Sequence, residues 1–242
     1  MASKYSQPPC PKCGESGKPF VGMFCTDCYL KDHPNLIKIP AKMEIEKCKR
    51  CEKIRLNGRW AEWSDEAVHK WIQDHVNAKA LQLPEIKIEM RPHPKEEKEF
   101  RLKINITGEV ENSPVDVTLY STLFIRSNIC NDDMLITSDY YEGIVQVRFS
   151  EKTPEKIRNV QEEIATALAP MQKLDSKAVV VNWVLQDFGV DAWIVSKKGA
   201  KAAAVAVSRA HGGTMSVSGK LIGLDIHTSK TKNRLTFLVR IP

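Results

Sequence analysis

Closely spaced cysteine pairs are the residues of this chain whose types and spacing could do chemistry. Six of its seven cysteines form three Cys-x-x-Cys pairs, at Cys10 and Cys13, Cys25 and Cys28, and Cys48 and Cys51. A separation of this kind lets both thiolates of a pair reach one metal ion, and two such pairs complete the tetrahedral shell that zinc prefers. The sequence therefore predicts at least one zinc site near the N-terminus.

The three pairs can combine in two ways. Eleven residues separate the first pair from the second, and nineteen separate the second from the third. We expect the first two pairs to share one site, because an eleven-residue connection suits a compact hairpin. A site built from the second and third pairs is the alternative that the spacing also allows.

The remaining pair, Cys48 and Cys51, supplies only two of the four ligands that a tetrahedral zinc site needs. The seventh cysteine, Cys130, precedes Asp133, which stands where a fourth Cys-x-x-Cys pair would have its second cysteine. Carboxylate oxygen is a zinc ligand, so these four residues are the candidate ligands of a second site. The alternatives are that Cys130 is a small buried hydrophobic residue, or that a histidine supplies a missing ligand. The histidines in question are His33 and His69.

These sites are expected to be structural. The sequence contains no HExxH, GxxxxGK[ST], GxGxxG or GxSxG motif, so it gives no support for metallohydrolase, nucleotide-hydrolase or serine-hydrolase chemistry. A thiol redox role would need one pair at the start of a helix in a thioredoxin-like order of elements. We therefore expect a protein that is not an enzyme and takes no small-molecule substrate.

Basic residues surround the cysteine pairs. Residues 1–59 carry 12 lysines and arginines against 6 acidic residues. Loops fixed by a metal hold such side chains with little core of their own, which suits contacts to phosphates and stacking on exposed bases. The candidate RNA-binding residues of this segment are Lys12, Lys18, Lys49, Arg50, Lys53, Arg55, Arg59 and Trp60.

Charge is uneven along the rest of the chain. Residues 60–195 carry 15 basic against 23 acidic residues, and residues 196–242 carry 9 against 1. The two basic ends would attract a polyphosphate such as RNA. The acidic middle would be repelled by the phosphate backbone of such a partner, or would contact protein. The connection 224–234 is predicted either as a phosphate-binding loop or as a solvated hairpin. Its candidate RNA-binding residues are His227, Lys230 and Lys232.

The overall composition is that of an ordinary globular protein. The chain has 242 residues, 42% of them hydrophobic, and a net charge of +6. No apolar run approaches the ~20 residues of a membrane span, and no apolar stretch follows Met1 as a secretion signal would. We expect a cytoplasmic protein without a membrane partner, because reducing conditions favour metal binding over disulfides.

The elements that must position the cysteines are helical and extended. Apolar residues at helical spacing predict a helix over 65–79, and alternation of apolar and polar residues predicts strands over 86–90, 100–106 and 115–119. We expect an α+β fold that begins with a zinc-ribbon-like module carrying a small antiparallel β-sheet. Its predicted domains are the basic zinc-binding module 1–59, the helix and antiparallel β segment 60–137, which contributes to the second zinc site, and 138–242.

The third domain is predicted as a βαββαββ sandwich of the split-βαβ type, with helices on one face of an antiparallel sheet. Helices are predicted over 154–168, capped by Thr153, and from Ser196 to about Ala210. An RNA-recognition sheet of the RRM type would carry aromatic residues in a run on its central strands, and no such run is visible. The predicted strands are 140–149, 179–185, 190–195, 215–226 and 234–241.

Seven segments together resemble a known family. They are Cys10–Cys13, Cys25–Cys28, Cys48–Cys51, Gly58–Trp60, Tyr141–Arg148, Asp187–Trp193 and Leu221–His227. In this order they are similar to the large-ribosomal-subunit export adaptor family named for nonsense-mediated decay, in its short archaeal form. The resemblance covers nearly the whole chain.

The resemblance implies a non-enzymatic adaptor that binds the intersubunit side of the large ribosomal subunit late in assembly. Its implied partners are ribosomal RNA and neighbouring ribosomal proteins. An archaeal cell has no nucleus, so the expected role is subunit maturation or anti-association and not export. Because the chain ends at Pro242, the roles of the domain that follows in eukaryotic members are not expected. The alternative is a zinc-ribbon module that bridges translation-related proteins.

Overall fold

A computed structural model describes residues 8–224 and 231–242 of the chain. The chain divides into two compact units, Met1–Ile129 and Cys130–Pro242. Both units combine helices with strands, so the α+β class predicted from the sequence is confirmed. The three-domain division at 59 and 137 stays a prediction.

The first unit begins with a small antiparallel hairpin that carries cysteines. Strand β1 (Phe20–Val21) pairs with β2 (Phe24–Cys25), and helix α1 (Thr26–Asp32) follows directly. The turn between the strands contains Gly22 at φ 59°, a left-handed conformation that glycine adopts without the steric cost of a Cβ atom. This is the short antiparallel sheet expected at the N-terminus.

A six-stranded sheet forms most of the first unit. Its strand order is β5-β4-β3-β8-β7-β6, and all neighbours are antiparallel except β3 and β8, which are parallel. The strands predicted over 86–90, 100–106 and 115–119 lie in β6, β7 and β8 and pair antiparallel, as predicted. The parallel pairing of β3, a strand that the sequence pattern did not predict, makes the whole sheet mixed. Its strands are β3 (Lys42–Cys48), β4 (Ile54–Leu56), β5 (Arg59–Ala61), β6 (Gln82–Pro92), β7 (Glu99–Val110) and β8 (Ser113–Asn128).

The hairpin between β7 and β8 differs from its predicted form. Glu111 and Asn112 form a two-residue turn with φ of 49° and 62°, as type I′ hairpins require. Pro114, which was expected in the connection, lies inside β8 opposite Glu109. It is tolerated because β3 pairs with β8 only from Thr122 onward, so this end of β8 has an open edge.

Helix α2 (Asp65–Asp74) packs its apolar side into the core of the first unit. Ser64 caps it, with its hydroxyl accepting a hydrogen bond from the Ala67 N–H at 3.2 Å. Val68 and Ile72 are fully buried, as the helical spacing predicted. The helix ends earlier than Lys79, because the backbone of Asn77 exchanges two hydrogen bonds with Lys38.

The second unit contains a five-stranded sheet of order β10-β11-β9-β13-β12. β9 and β13 are parallel and the other neighbours are antiparallel, so this sheet is also mixed where an antiparallel one was predicted. The predicted βαββαββ order is otherwise present, preceded by the short helix α3. The elements are α3 (Asn131–Thr137), β9 (Gly143–Phe149), α4 (Pro154–Gln172), β10 (Val180–Gln186), β11 (Gly189–Ile194), α5 (Lys197–Ala210), β12 (Thr214–Leu224) and β13 (Thr231–Ile241).

Helices α4 and α5 share a core with one face of this sheet. Thr153 and Ser196 cap them as predicted, each accepting a backbone N–H on its hydroxyl. Ala203 and Ala204 of α5 are fully buried, and Ala200 lies so close to Gly143 that a Cβ added there would stand 2.2 Å from the alanine Cβ. Small residues therefore set the spacing between α5 and the sheet.

We predict that Gly189→Ala strongly destabilises the second unit. A Cβ at this position would lie 1.8 Å from the backbone oxygen of Val147, so two paired strands would have to separate. The control is Gly219→Ala in the same sheet, where the nearest atom is the Cδ2 of Leu235 at 3.3 Å. We expect a loss of about 2–4 kcal/mol for the first and under about 1 kcal/mol for the second.

Hydrogen exchange of β9 and β11 amides, measured by mass spectrometry, reports the stability of this sheet directly. Equal protection of these amides in the two variants would contradict the assigned packing at Gly189.

Candidate metal centres

The first cysteine set is assembled by the hairpin and helix at the start of the chain. Its four sulfur atoms all lie within 4.8 Å of one another, and those of Cys13 and Cys25 are 3.6 Å apart. Cys25 ends β2 and directly precedes α1, which carries Cys28. Phe20 and Phe24 pack against the three buried members of the set. The set consists of Cys10, Cys13, Cys25 and Cys28.

The loop around Cys10 has the geometry of a zinc knuckle. The Gly14 N–H donates to the carbonyl of Cys10 at 2.8 Å, and Gly14 has φ 75°. The Cys25 N–H approaches the sulfur of Cys10 at 3.4 Å. Backbone donors aimed at sulfur stabilise a thiolate, which is the form that binds metal.

Two thiols of this set differ in their acidity. The backbone N–H of Cys25 lowers the pKa of Cys10 to about 6, while burial raises the pKa of Cys28 to about 12. A bare thiolate at Cys28 would be poorly solvated. A bound cation would stabilise the Cys28 thiolate despite its burial, since the cation compensates the negative charge directly.

The second cysteine set depends on the parallel register of β3 and β8. Cys48, the last residue of β3, pairs with Asn128, and the chain reaches Cys130 two residues later. The Cys48 N–H donates to the carbonyl of Lys53 at 2.7 Å, which closes the turn that contains Cys51. The ligand atoms of Cys48, Cys51, Cys130 and Asp133 all lie within 4.8 Å of one another.

Asp133 is placed by the start of helix α3. Cys130 is the N-cap of this helix, and its sulfur accepts the Asp133 N–H at 3.4 Å. The same sulfur lies 3.2 Å from the Oδ2 of Asp133, and both residues are buried. The carboxylate therefore takes the place of a second cysteine of a Cys-x-x-Cys pair.

Both sets fit a tetrahedral zinc ion. Bonds of about 2.3 Å to sulfur and about 2.0 Å to oxygen place two sulfur atoms about 3.8 Å apart, and sulfur and oxygen about 3.5 Å apart. The observed separations of 3.6 Å and 3.2 Å are close to these values. The two clusters are thus positioned to bind zinc through four thiolates in one case and three thiolates and a carboxylate in the other. With no ligand position left open, such zinc ions would be structural.

The structure decides between the pairings that the spacing left open. The first and second pairs share a cluster, as preferred, and the third pair meets Cys130 and Asp133. Cys130 is buried, as the alternative of a small hydrophobic residue required, but its sulfur lies within a set of four possible metal ligands. Within residues 8–224 and 231–242, neither His33 nor His69 belongs to a group of three or more possible metal ligands.

Acidic neighbours already pair with several of the predicted RNA-binding side chains. Lys12 pairs with Asp32, Lys18 with Glu15 and Asp27, Lys53 with Glu62, and Arg55 with Glu46. The hydrogen bond that Lys12 donates to the carboxylate of Asp32 raises the pKa of Lys12. Exposed ion pairs of this kind are worth roughly 0–1 kcal/mol, so a phosphate group could compete for these cations.

The remaining predicted RNA-binding residues have mixed positions. Lys49, Arg50, Arg59 and Lys232 are exposed, and Trp60 of β5 is half-buried. His227 and Lys230 lie outside the residues that the structure describes. An RNA role for all of these residues stays a prediction.

A groove beside Cys48 contains residues that the sequence patterns did not single out. It has a volume of about 550 Å³, and its lining includes Lys49, Trp63, Lys98 and Phe100. The Nζ of Lys47 lies 6.0 Å from the Trp63 ring centroid. Lys98 lies in a run of mixed charge, so the sequence gives no sign that it lines the same groove as Cys48. The lining thus combines an aromatic ring and lysines, which suit a nucleotide, with Glu52 and Glu97, which would repel its phosphate.

The described helices include none that is both long and apolar enough to span a membrane. Two clusters of four ligands each, held by short loops and the first turns of helices α1 and α3, define a zinc-binding protein whose metal serves structure.

The family of the chain follows from comparison with known families. A model described as the NMD3 N-terminal domain matches residues 10–133, a range that contains all eight candidate ligands, and one described as the NMD3 second domain matches residues 140–241. The chain therefore belongs to the NMD3 family, which confirms the resemblance seen in the sequence. This family comprises adaptors of ribosome biogenesis, so membership implies a ribosome-related adaptor function. A comparison with the curated proteins finds no match.

We predict that the purified chain holds two zinc ions, one in each cluster. Cys25→Ser should remove the first, and Asp133→Asn the second, because a neutral amide is a poor zinc ligand. Asp132→Asn is the matched control, since this neighbouring carboxylate belongs to neither cluster. Elemental analysis by inductively coupled plasma mass spectrometry, together with native mass spectrometry, gives the number of ions per chain. Equal zinc content in the two aspartate variants would contradict the assignment of Asp133.

A second prediction concerns the identity of the unusual ligand. Asp133→Cys restores a fourth Cys-x-x-Cys pair, and a further thiolate should hold zinc more tightly than a carboxylate. We expect slower loss of one zinc ion to a chelator, followed with a chromogenic zinc indicator, and an unchanged rate for the other. An unaltered or faster release of both ions would be the contrary result.

Proposed function

We propose that this protein binds the intersubunit face of the large ribosomal subunit through contacts to ribosomal RNA, and acts there in subunit maturation or anti-association. Membership of the NMD3 family carries the proposal, since it places the chain among ribosome-related adaptors. Occupation of this face would keep the small subunit from joining prematurely.

The positions of exposed cations near the second cysteine cluster support the RNA part of the proposal. Lys49 and Arg50 lie between Cys48 and Cys51, in a turn that the cluster would fix. Lys49 also lines the groove that contains Trp63. A metal-fixed turn presents these side chains with little loss of conformational entropy on binding, which favours phosphate contacts.

Salt dependence separates this proposal from binding through protein surfaces. Each phosphate that a lysine or arginine neutralises releases counterions, so affinity falls steeply with salt concentration. An adaptor that bound only ribosomal proteins would show a shallower dependence.

We predict that the chain cosediments with large subunits and that Lys49→Glu weakens this binding about tenfold, with a smaller salt slope. The matched control is Lys79→Glu, because Lys79 is exposed in the same unit and lies in neither the cysteine turns nor the groove. Sucrose-gradient sedimentation at several salt concentrations gives both the affinity and the slope.

Cosedimentation with small subunits alone would overturn the proposal. Crosslinks to ribosomal proteins and none to RNA would favour the alternative, a zinc module that bridges translation-related proteins. A footprint by cryo-electron microscopy on large subunits identifies the face that is occupied.

A further inference from the structure

Three planar side chains form a continuous stack on the five-stranded sheet of the second unit. The rings of Tyr141 and Trp193 are stacked with centroids 4.4 Å apart and planes at 26°. The guanidinium carbon of Arg234 lies 3.7 Å from the centroid of Tyr141, and its Nε donates to the Tyr141 carbonyl at 3.2 Å. Ring contacts and a hydrogen bond from the Arg234 side chain to the Tyr141 backbone thus hold the stack together.

Sheet order puts Tyr141 in the middle of this stack. Tyr141 precedes β9, while Trp193 belongs to β11 and Arg234 to β13, the two strands that flank β9. Trp193 is opposite Ile144, which lies on the face away from the α4 and α5 core. Trp193 and Arg234 are both half-buried, so part of each side chain is accessible to a further flat group that stacks on it.

Cations lie on the same face, beyond the stack. Arg148 and Arg240 are neighbours in the parallel pair of β9 and β13. The carboxylate of Asp191 accepts hydrogen bonds from Arg148 at 2.6 Å and from Gln146 at 3.3 Å. Asp191 is buried and already pairs with Arg148, which is half-buried. Of the two neighbouring arginines, Arg240 is therefore the exposed cation.

The edge strand β12 continues this surface with small polar residues. Ser216 and Ser218 pair with Leu238 and Thr236 of β13, and Lys220 pairs with Arg234. All residues of β12 are exposed. Lysine and arginine side chains therefore follow the edge of the sheet at one end, near the stack, and Arg240 lies at the other end.

We propose that this face of the five-stranded sheet binds a single-stranded segment of RNA, with bases stacked on Trp193 and Arg234 and phosphates contacted by Lys220 and Arg240. The inference rests on the proposed function for the class of partner, but it names a site separate from the cysteine turns. Stacking platforms bordered by cations are the means by which proteins hold unpaired bases without strong sequence preference.

The features of the face favour an unpaired strand over a duplex. Bases in an A-form helix are stacked on each other and turn only their edges to a protein, so they could not stack on Trp193 or Arg234. A protein partner would use the apolar parts of the surface and would not require both Lys220 near the stack and Arg240 farther along the same face.

The first experiment measures binding of a fluorescein-labelled 12-nucleotide oligouridylate to the full-length, zinc-loaded chain by fluorescence anisotropy. Arg240→Glu should weaken binding about tenfold and reduce the salt slope, because one phosphate contact is lost and a like charge replaces it. The matched control is Arg209→Glu, since Arg209 is exposed on α5 at the opposite face. This variant should bind as the unchanged chain does.

The second experiment tests the stack itself. Trp193→Ala should weaken binding roughly 5- to 100-fold, and Trp193→Phe should restore much of it because a smaller ring still stacks. Far-ultraviolet circular dichroism and hydrogen exchange of β9 confirm that each variant is folded. A folded alanine variant with unchanged affinity would overturn the inference.

Two further outcomes would also overturn it. One is equal weakening by Arg240→Glu and Arg209→Glu, which would show that only net charge matters. The other is equal affinity for the oligouridylate and for a 12-base-pair RNA duplex. Cosedimentation of the Arg240→Glu chain with large subunits tests the proposed function separately from the sheet site. If this variant loses oligonucleotide binding but still cosediments, the result supports both the sheet site and large-subunit binding. An unchanged chain that cosediments but does not bind the oligonucleotide overturns the sheet site alone.

Discussion

The parallel pairing of β3 with β8 is the constraint on which the first unit depends. It joins two groups of strands that are far apart in the chain, β3 to β5 on one side and β6 to β8 on the other, into one six-stranded sheet. Its register also sets Cys48 opposite Asn128, and so brings the third cysteine pair to the point where Cys130 follows. A shift of one residue would turn every side chain of β3 to the other face and separate the ligands.

The two cysteine clusters differ in how far their ligands have to be brought together. The first is local, because the loop around Cys10 and Cys13, the strand β2 and the first turn of α1 supply all four thiolates within residues 10–28. The second combines ligands separated by some eighty residues, and Asp133 reaches it only because Cys130 caps the following helix. Metal binding contributes to folding in both cases, since such ligand sets do not exist in the unfolded chain.

Local signals in the sequence were sufficient for the first cluster and for most of the second unit. The spacing of Cys10 to Cys28, and the capping residues Thr153 and Ser196, act over a few residues and correctly predicted their structures. The second ligand set was predicted because Asp133 keeps the spacing of a cysteine pair. Its confirmation required the register of β3 and β8, which no local pattern encodes.

Non-local relationships account for what the sequence did not predict. Both sheets are mixed because parallel neighbours come from strands far apart in the chain, and alternation does not reveal strand direction. The stack of Arg234, Tyr141 and Trp193 was missed for the same reason: its members come from three segments, so no aromatic run exists to be recognised. Pro114 was wrongly expected in a connection, because the sequence does not reveal that its part of β8 is paired on one side only and can accept a proline.

The β3 and β8 pairing also has a consequence for the kinetics of folding. Lys42 contacts Thr122, so the central pair of the sheet closes a loop that contains four other strands and a helix. Contacts of such sequence separation form slowly, because loop closure costs entropy before the contacts repay it. During synthesis the sheet cannot be completed until Asn128 has emerged from the ribosome that makes it. The N-terminal zinc hairpin is free of this delay and can fold first, while the cysteines of the third pair remain exposed thiols until the end of β8 arrives.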